Sequence, residues 1–165
     1  MVIQNKRYNS SAILSVYIKP TNYCNLGCKH CYLNLETRNN RLIMSFDTFK
    51  KTVNLVSEMA NEGGYKQTHI IWHGGEPMII PADWFCKAGD YLDKHLPIRK
   101  ESMQSSMMLM RKEYVALIKE RFNGTIGSSV DFSLRLIHGS EDQYLSVWMK
   151  KVGYARKNGI SVIPS

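Results

Sequence analysis

An alternation constrains this chain most: short segments that read as strands follow one another five times, separated by segments with helical periodicity. Strands are predicted from Ala12 to Lys19, as a short buried strand, from Gln67 to Trp72, near Arg99 to Ser105, from Thr125 to Val130 and from Ile160 to Ile163. Ser45 is a plausible N-cap for a helix through about Met59, with Phe46, Phe49, Val53, Val56 and Met59 on one face and Gly63-Gly64 ending it. Further helices are predicted from Pro81 or Ala82 to about His95, from about Lys112 to Phe122, and from about Glu141 to Lys157 with Gly159 as the stop. Strand and helix in strict turn argue for an α/β fold with a parallel sheet, either open and doubly wound or part of a barrel.

With 165 residues, 44% of them hydrophobic, the chain can bury a core without disulfides or metal staples. No apolar run is long enough to span a bilayer, and Met1 to Ser10 is polar, without a signal-peptide core, so a membrane is not an expected partner and the cytosol is the expected compartment. The net charge of +8 favours anionic partners, but the basic pairs, such as Lys50-Lys51, Arg111-Lys112 and Lys150-Lys151, are scattered through helices and read as a solvated surface. The sequence stops at Pro164-Ser165, straight after its fifth strand. A bare strand there exposes unpaired backbone, which suggests a truncated chain.

Three of the four cysteines fall in the loop after the first strand, as Cys24-Asn25-Leu26-Gly27-Cys28-Lys29-His30-Cys31. Without an export signal, such clustering speaks for a metal centre and against disulfides. Zinc and an iron–sulfur cluster are the two candidates. A structural zinc would need a fourth ligand from His30, His69, His73 or Cys86. A cubane held by three cysteines leaves one iron open for chemistry, and Lys29 and His30 stand close enough in sequence to offset its charge. Cys86, beside Trp84 and Phe85, reads as a small buried hydrophobe, and Met103, Met107, Met108 and Met110 as core filling.

The second strand runs into His73-Gly74-Gly75-Glu76-Pro77, a tight turn whose glycines admit close backbone approach and whose Glu76 offers an acceptor. Both motifs follow strands, at the carboxyl edge where ligands bind in either α/β architecture.

The segment Lys19-Pro20-Thr21-Asn22-Tyr23-Cys24 through Cys31-Tyr32 resembles the signature of the radical S-adenosylmethionine superfamily, and the GGEP turn resembles that family's motif for the cofactor's amino group. The resemblance implies a partial (β/α) barrel of about five βα units. It also implies a [4Fe–4S] cluster on Cys24, Cys28 and Cys31, and S-adenosyl-L-methionine at its open iron, cleaved to a 5′-deoxyadenosyl radical that abstracts hydrogen from substrate. Tyr32, His73 and Gly74, Gly75, Glu76 and Pro77 then belong to the cofactor site. Gln104, in Gln-Ser-Ser where relatives carry Gln-Thr-Asn, joins them, as do Ser129, in Ser-Ser-Val-Asp, and Arg135, in the place of an arginine that pairs with the cofactor carboxylate. Ser106 and Phe132 depart from the family's asparagine and glycine.

The motif set is most similar to the subgroup that modifies proteins and ribosomal peptides, which includes anaerobic sulfatase maturases. Leu33 follows Tyr32 where sulfatase maturases tend to carry a second aromatic, so the reading leans to a peptide maturase. It implies a peptide or protein substrate and an electron donor such as a flavodoxin or ferredoxin. Residues 1–165 would form the N-terminal portion of the core domain, without the C-terminal auxiliary-cluster domain. Two rivals stand beside it: a zinc-binding nucleic-acid module, in which GGEP has no task, and a catalytically incomplete fragment. Nucleic acid is not the expected partner.

Overall fold

The computed structural model describes residues 12–131 and 134–164; Met1 to Ser10, Phe132 and Ser165, on which part of the sequence reading falls, lie outside them. Its elements run β1 (Ile13–Ile18), α1 (Leu35–Asn39), α2 (Phe46–Gly63), β2 (Gln67–Trp72), a 3-10 turn (Pro77–Ile79), α3 (Ala82–His95), β3 (Arg99–Met103), α4 (Lys112–Arg121), β4 (Thr125–Ser128), α5 (Glu141–Lys157) and β5 (Ser161–Pro164). Helix α2 starts where its cap was expected: Ser45 Oγ accepts the Thr48 N–H at 3.1 Å, and Gly64 ends the helix in the left-handed region at φ 67°. Helix α1, capped by Asn34 on the Thr37 N–H at 2.7 Å, was not foreseen, because five residues are too few to show periodicity.

Every strand pair is parallel. β1, β2 and β3 lie side by side in that order, β4 pairs with β5, and a parallel bridge between Gln104 and Gly127 joins the two groups. Each strand therefore adds beside its predecessor with no reversal of order, which is the winding of a barrel and not of a doubly wound sheet.

The helices cover one face. Trp72 on β2, fully buried, packs against Phe49 of α2 and against Trp84 and Phe85 of α3, with ring centroids 5.3–5.9 Å apart. Its indole N–H donates to Glu101 Oε2 at 3.0 Å, and Arg99 bonds the other oxygen of that buried carboxylate. Met103, Met107, Met108 and Met110 are all buried, as core filling requires.

Three packing expectations need correction. β1 is buried on one face only: Ile18 is in the core, whereas Ile13 and Tyr17 are exposed on the opposite side of the pleat. Met59 is exposed because the buried stripe of α2 runs through Phe49, Val53, Val56 and Ala60, and at 100° per residue Met59 falls off it. Cys86 is only partly buried. Among the described residues, no helix is long and apolar enough to cross a membrane.

Candidate functional site

At the carboxyl edge of the sheet, the loop after β1 and the turn after β2 are bonded backbone to backbone. The Gly75 N–H donates to the Thr21 carbonyl at 3.0 Å, and the Glu76 N–H to that of Tyr23 at 2.9 Å. Both glycines are required by this approach. Gly74 sits at φ 133°, and a Cβ there would strike the Thr21 carbonyl; one on Gly75 would strike the carbonyls of Asn22 and Tyr23. The close approach read from the sequence is thus first an approach to the cysteine loop itself.

That loop is held from three sides. Buried Thr21 donates its hydroxyl to the Leu42 carbonyl at 2.7 Å and accepts the Tyr23 N–H at 3.1 Å. Arg38 of α1 reaches the carbonyls of Leu26 and Cys28 at 3.3 and 3.4 Å, and the N–H groups of Gly27 and Lys29 donate to Leu136 and Leu134. Beneath the loop, Leu26, Met108 and Tyr144 form a small buried cluster against which Cys24 and Cys28 pack.

Cys24, Cys28 and Cys31 line one cavity of about 260 Å³ together with His73, Gly74 and Gly75. Tyr32, Gln104, Ser129 and Arg135 complete the expected part of its wall. Leu26, His30, Ser105 and Ser106 line it as well; for the two serines, adjacency to Gln104 was the only sequence signal. Of the expected cofactor residues, Glu76 and Pro77 are absent from the lining, and both are buried behind the turn. Glu76 Oε1 accepts from the Met78 N–H at 2.9 Å and the Ser105 hydroxyl at 2.8 Å, while Oε2 accepts the Ser106 N–H at 2.8 Å and the Ser106 hydroxyl. The carboxylate is therefore engaged within the protein, tying the GGEP turn to the end of β3. From below, the Tyr114 hydroxyl holds the carbonyls of Met78 and Ile80.

Burial pushes the Cys24 thiol up to about 11. It raises that of Cys28 too, where the Arg135 and Arg38 charges oppose it. Both are thiols at neutral pH until a cationic centre takes them as thiolates, releasing protons. The charges near Cys28 are thus Arg135 and Arg38, whereas its sequence neighbours Lys29 and His30 are both exposed: Lys29 faces solvent and His30 pairs with Asp131 at 3.5 Å. Arg135 is no surface arginine; its side chain is 15% exposed and donates from Nε to Asp131 at 2.8 Å.

His73 lies between Tyr17 and Tyr32, with ring centroids 6.1 and 6.4 Å away. Its Nδ1 is buried with no hydrogen-bond partner among the described residues, and burial, followed by the Lys19 charge, holds the imidazole below its ordinary range. An orphaned polar atom beside three thiols suits a site built for a ligand. A tetrahedral zinc at about 2.3 Å from each sulfur needs its ligands in mutual contact. Among the described residues, no three His, Cys, Asp or Glu side chains converge on a single ion in that way. The donor set that faces the cavity, three thiols, is of the kind that holds an iron–sulfur cluster.

Comparison with known proteins agrees with this geometry. A serine-type anaerobic sulfatase-maturating enzyme of Bacteroides thetaiotaomicron is 30% identical over 125 residues, covering 72% of this chain and 29% of that protein. Among solved structures, an anaerobic sulfatase-maturating enzyme designated anSMEcpe, with bound AdoMet, superposes with a TM-score of 0.75 at 22% identity, covering 93% of this chain and 43% of its own. The same protein with bound AdoMet and Cp18Cys peptide gives a TM-score of 0.74. The chain thus spans under a third of the curated relatives it matches and under half of these structures. The model of one family covers residues 18–164, from the end of β1 through β5. With that match over the three-cysteine loop, the glycine turn and the parallel winding that brings them together, the chain belongs to the Radical SAM superfamily.

Proposed function

We propose that the protein is a radical S-adenosylmethionine enzyme acting on a peptide or protein side chain, with Cys24, Cys28 and Cys31 holding a [4Fe–4S] cluster. The observation that carries this reading is the shared cavity: the three thiols and the backbone of the Gly74-Gly75 turn face one space at the carboxyl edge of a parallel sheet. When bound, the cluster and S-adenosylmethionine supply one-electron cleavage chemistry that ends in hydrogen-atom abstraction from the substrate.

The chain's own residues bind, orient and exclude water. Tyr32, His73, Gln104 and Ser129 are the wall contacts for S-adenosylmethionine. The planar guanidinium of Arg135 bonds Asp131 through Nε, and its terminal N–H groups, which bond no other described residue, are the donors for a carboxylate. Glu76 and Pro77 act from behind the turn, as positioning residues. Leu26, Met108 and Tyr144 close the underside of the cysteine loop against water.

Support for a peptide substrate comes from the sulfatase-maturating relative and from the related structure that holds a peptide. Within that class, Leu33 after Tyr32 favours a ribosomal-peptide maturase. Residues 1–165 then form the N-terminal portion of the core domain, and a flavodoxin or ferredoxin delivers the electron.

The test is anaerobic reconstitution with iron and sulfide, read by iron content and by the electron paramagnetic resonance of the reduced protein. The expected result is a brown protein whose reduced signal shifts when S-adenosylmethionine is added. Cys28→Ala should lose the stable cluster and all cofactor cleavage; retained cleavage in that variant would sink the assignment.

A further inference from the structure

Arg38 brings to the cysteine loop a charge that no described carboxylate answers. It holds the loop at three points: its carbonyl accepts the Cys24 N–H at 3.3 Å, and its Nη1 donates to the carbonyls of Leu26 and Cys28 at 3.3 and 3.4 Å. Its Nε is buried and bonds no described residue. A partly buried guanidinium gives up water around its charge, and this one receives only neutral carbonyls in return.

The other charges around the loop are placed differently. Arg135 donates to Asp131, which also pairs with His30. Lys29 is exposed, Lys19 lies over the Tyr32 ring and Arg41 over the Tyr23 ring. Glu76, near Cys24, is buried and accepts only from Met78, Ser105 and Ser106, and Glu36, on the same helix as Arg38, is exposed and makes no ion pair with it. An unpaired cation bonded beside Cys28 is complementary to a centre that is a net anion once the three thiols bind it as thiolates.

We propose that Arg38 is a positioning residue whose charge stabilises the cluster, most of all in its reduced state, and so sets the cluster's reduction potential; the inference rests on the cluster assigned above to Cys24, Cys28 and Cys31. In the step concerned, one electron passes from the reduced flavodoxin or ferredoxin to the cluster. The donor is oxidised, no bond is made or broken, and the unit of cluster and three thiolates becomes more negative by one charge. A fixed cation nearby lowers the energy of that product more than that of the starting state. Arg38 bonds the carbonyl of a residue whose own sulfur is a ligand, so its charge is worth about tenfold in the reduction equilibrium, or about 59 mV for one electron.

The test is a reductive titration of the anaerobically reconstituted protein without S-adenosylmethionine, in which the electron paramagnetic resonance of the reduced cluster is followed against potential. Arg38→Gln removes the charge and keeps the backbone acceptor for Cys24; it should lower the midpoint by that tenfold factor. Arg38→Lys keeps the charge and loses the planar fork, and should stay close to the parent. Lys29→Gln removes an exposed cation next to Cys28 in sequence and should move the midpoint little, because solvent screens it. Equal midpoints in Arg38→Gln and the parent, or a tenfold fall in Arg38→Lys, would overturn the proposal. So would an equal fall in Lys29→Gln, which would make net charge the cause. If Arg38→Gln holds no cluster, iron content read beside circular dichroism decides: a folded Gln variant without iron beside a Lys variant with full iron supports the charge, and loss of iron from both folded variants overturns it. A parent that assembles no cluster refutes the proposed function and this inference with it, whereas a cluster whose potential ignores Arg38 refutes this inference alone.

Discussion

Replacing Glu76 with Gln removes one charge and almost no volume, yet the surroundings of this side chain make the change costly. The carboxylate is 1% exposed and accepts from two hydroxyls and two backbone N–H groups. The hydroxyls of Ser105 and Ser106 can rotate to accept from an amide. The backbone donors cannot, and one stands on each side: Met78 N–H at Oε1 and Ser106 N–H at Oε2. Whichever way the Gln amide turns, its NH2 faces one of them. A buried donor is then left unsatisfied, at about 1–3 kcal/mol, and the surviving bonds lose their charged acceptor. A total near 3 kcal/mol lowers Tm by roughly 6–12 °C in a domain of this size. Chemical and thermal unfolding of Glu76→Gln and the parent measure it directly. A variant within about 0.5 kcal/mol of the parent would refute the claim that this carboxylate ties the GGEP turn to the end of β3.

Gly75→Ala drives a methyl into the carbonyls of Asn22 and Tyr23; it should separate the turn from the cysteine loop, cost about 2–4 kcal/mol and abolish S-adenosylmethionine binding by calorimetry. Ser45→Ala removes the cap of α2 and should cost about 1 kcal/mol in urea titration, leaving cofactor binding unchanged. Asp93 bonds Arg121 at 2.7 Å and Arg99 at 2.6 Å, and the Arg121 hydrogen bond, opposed by burial, holds its carboxyl below the ordinary 3.8. The pair's stabilisation is therefore present above pH 3.8 and lost as pH falls through the lower folded value. Asp93 is half exposed, so Asp93→Asn should cost under about 1 kcal/mol at neutral pH and flatten acid unfolding below pH 3.8, as followed by circular dichroism.

What was legible in the sequence follows from the range of each interaction. Elements set by their own periodicity and punctuation were readable: α2 between Ser45 and Gly64, β2 up to Trp72, and α5 up to Gly159. The cysteine spacing and the GGEP turn marked the site, because local chemistry alone makes such strings unusual. The inward turn of Glu76 was hidden, since its partners Ser105 and Ser106 lie about thirty residues away and meet it only once β2 and β3 pair. Arg38 was hidden for the same reason: it reaches the cysteine loop from a helix too short to announce itself. Exposure of Tyr17 and Met59 depended on which face the neighbouring elements cover, which hydrophobicity by itself does not specify.

The measurement that bears most directly on the central claim is product formation. The anaerobically reconstituted protein is reduced with S-adenosylmethionine present, and 5′-deoxyadenosine is quantified by chromatography beside Cys28→Ala. The account requires 5′-deoxyadenosine from the parent and none from the variant. A colourless parent that retains zinc and forms no 5′-deoxyadenosine would contradict it.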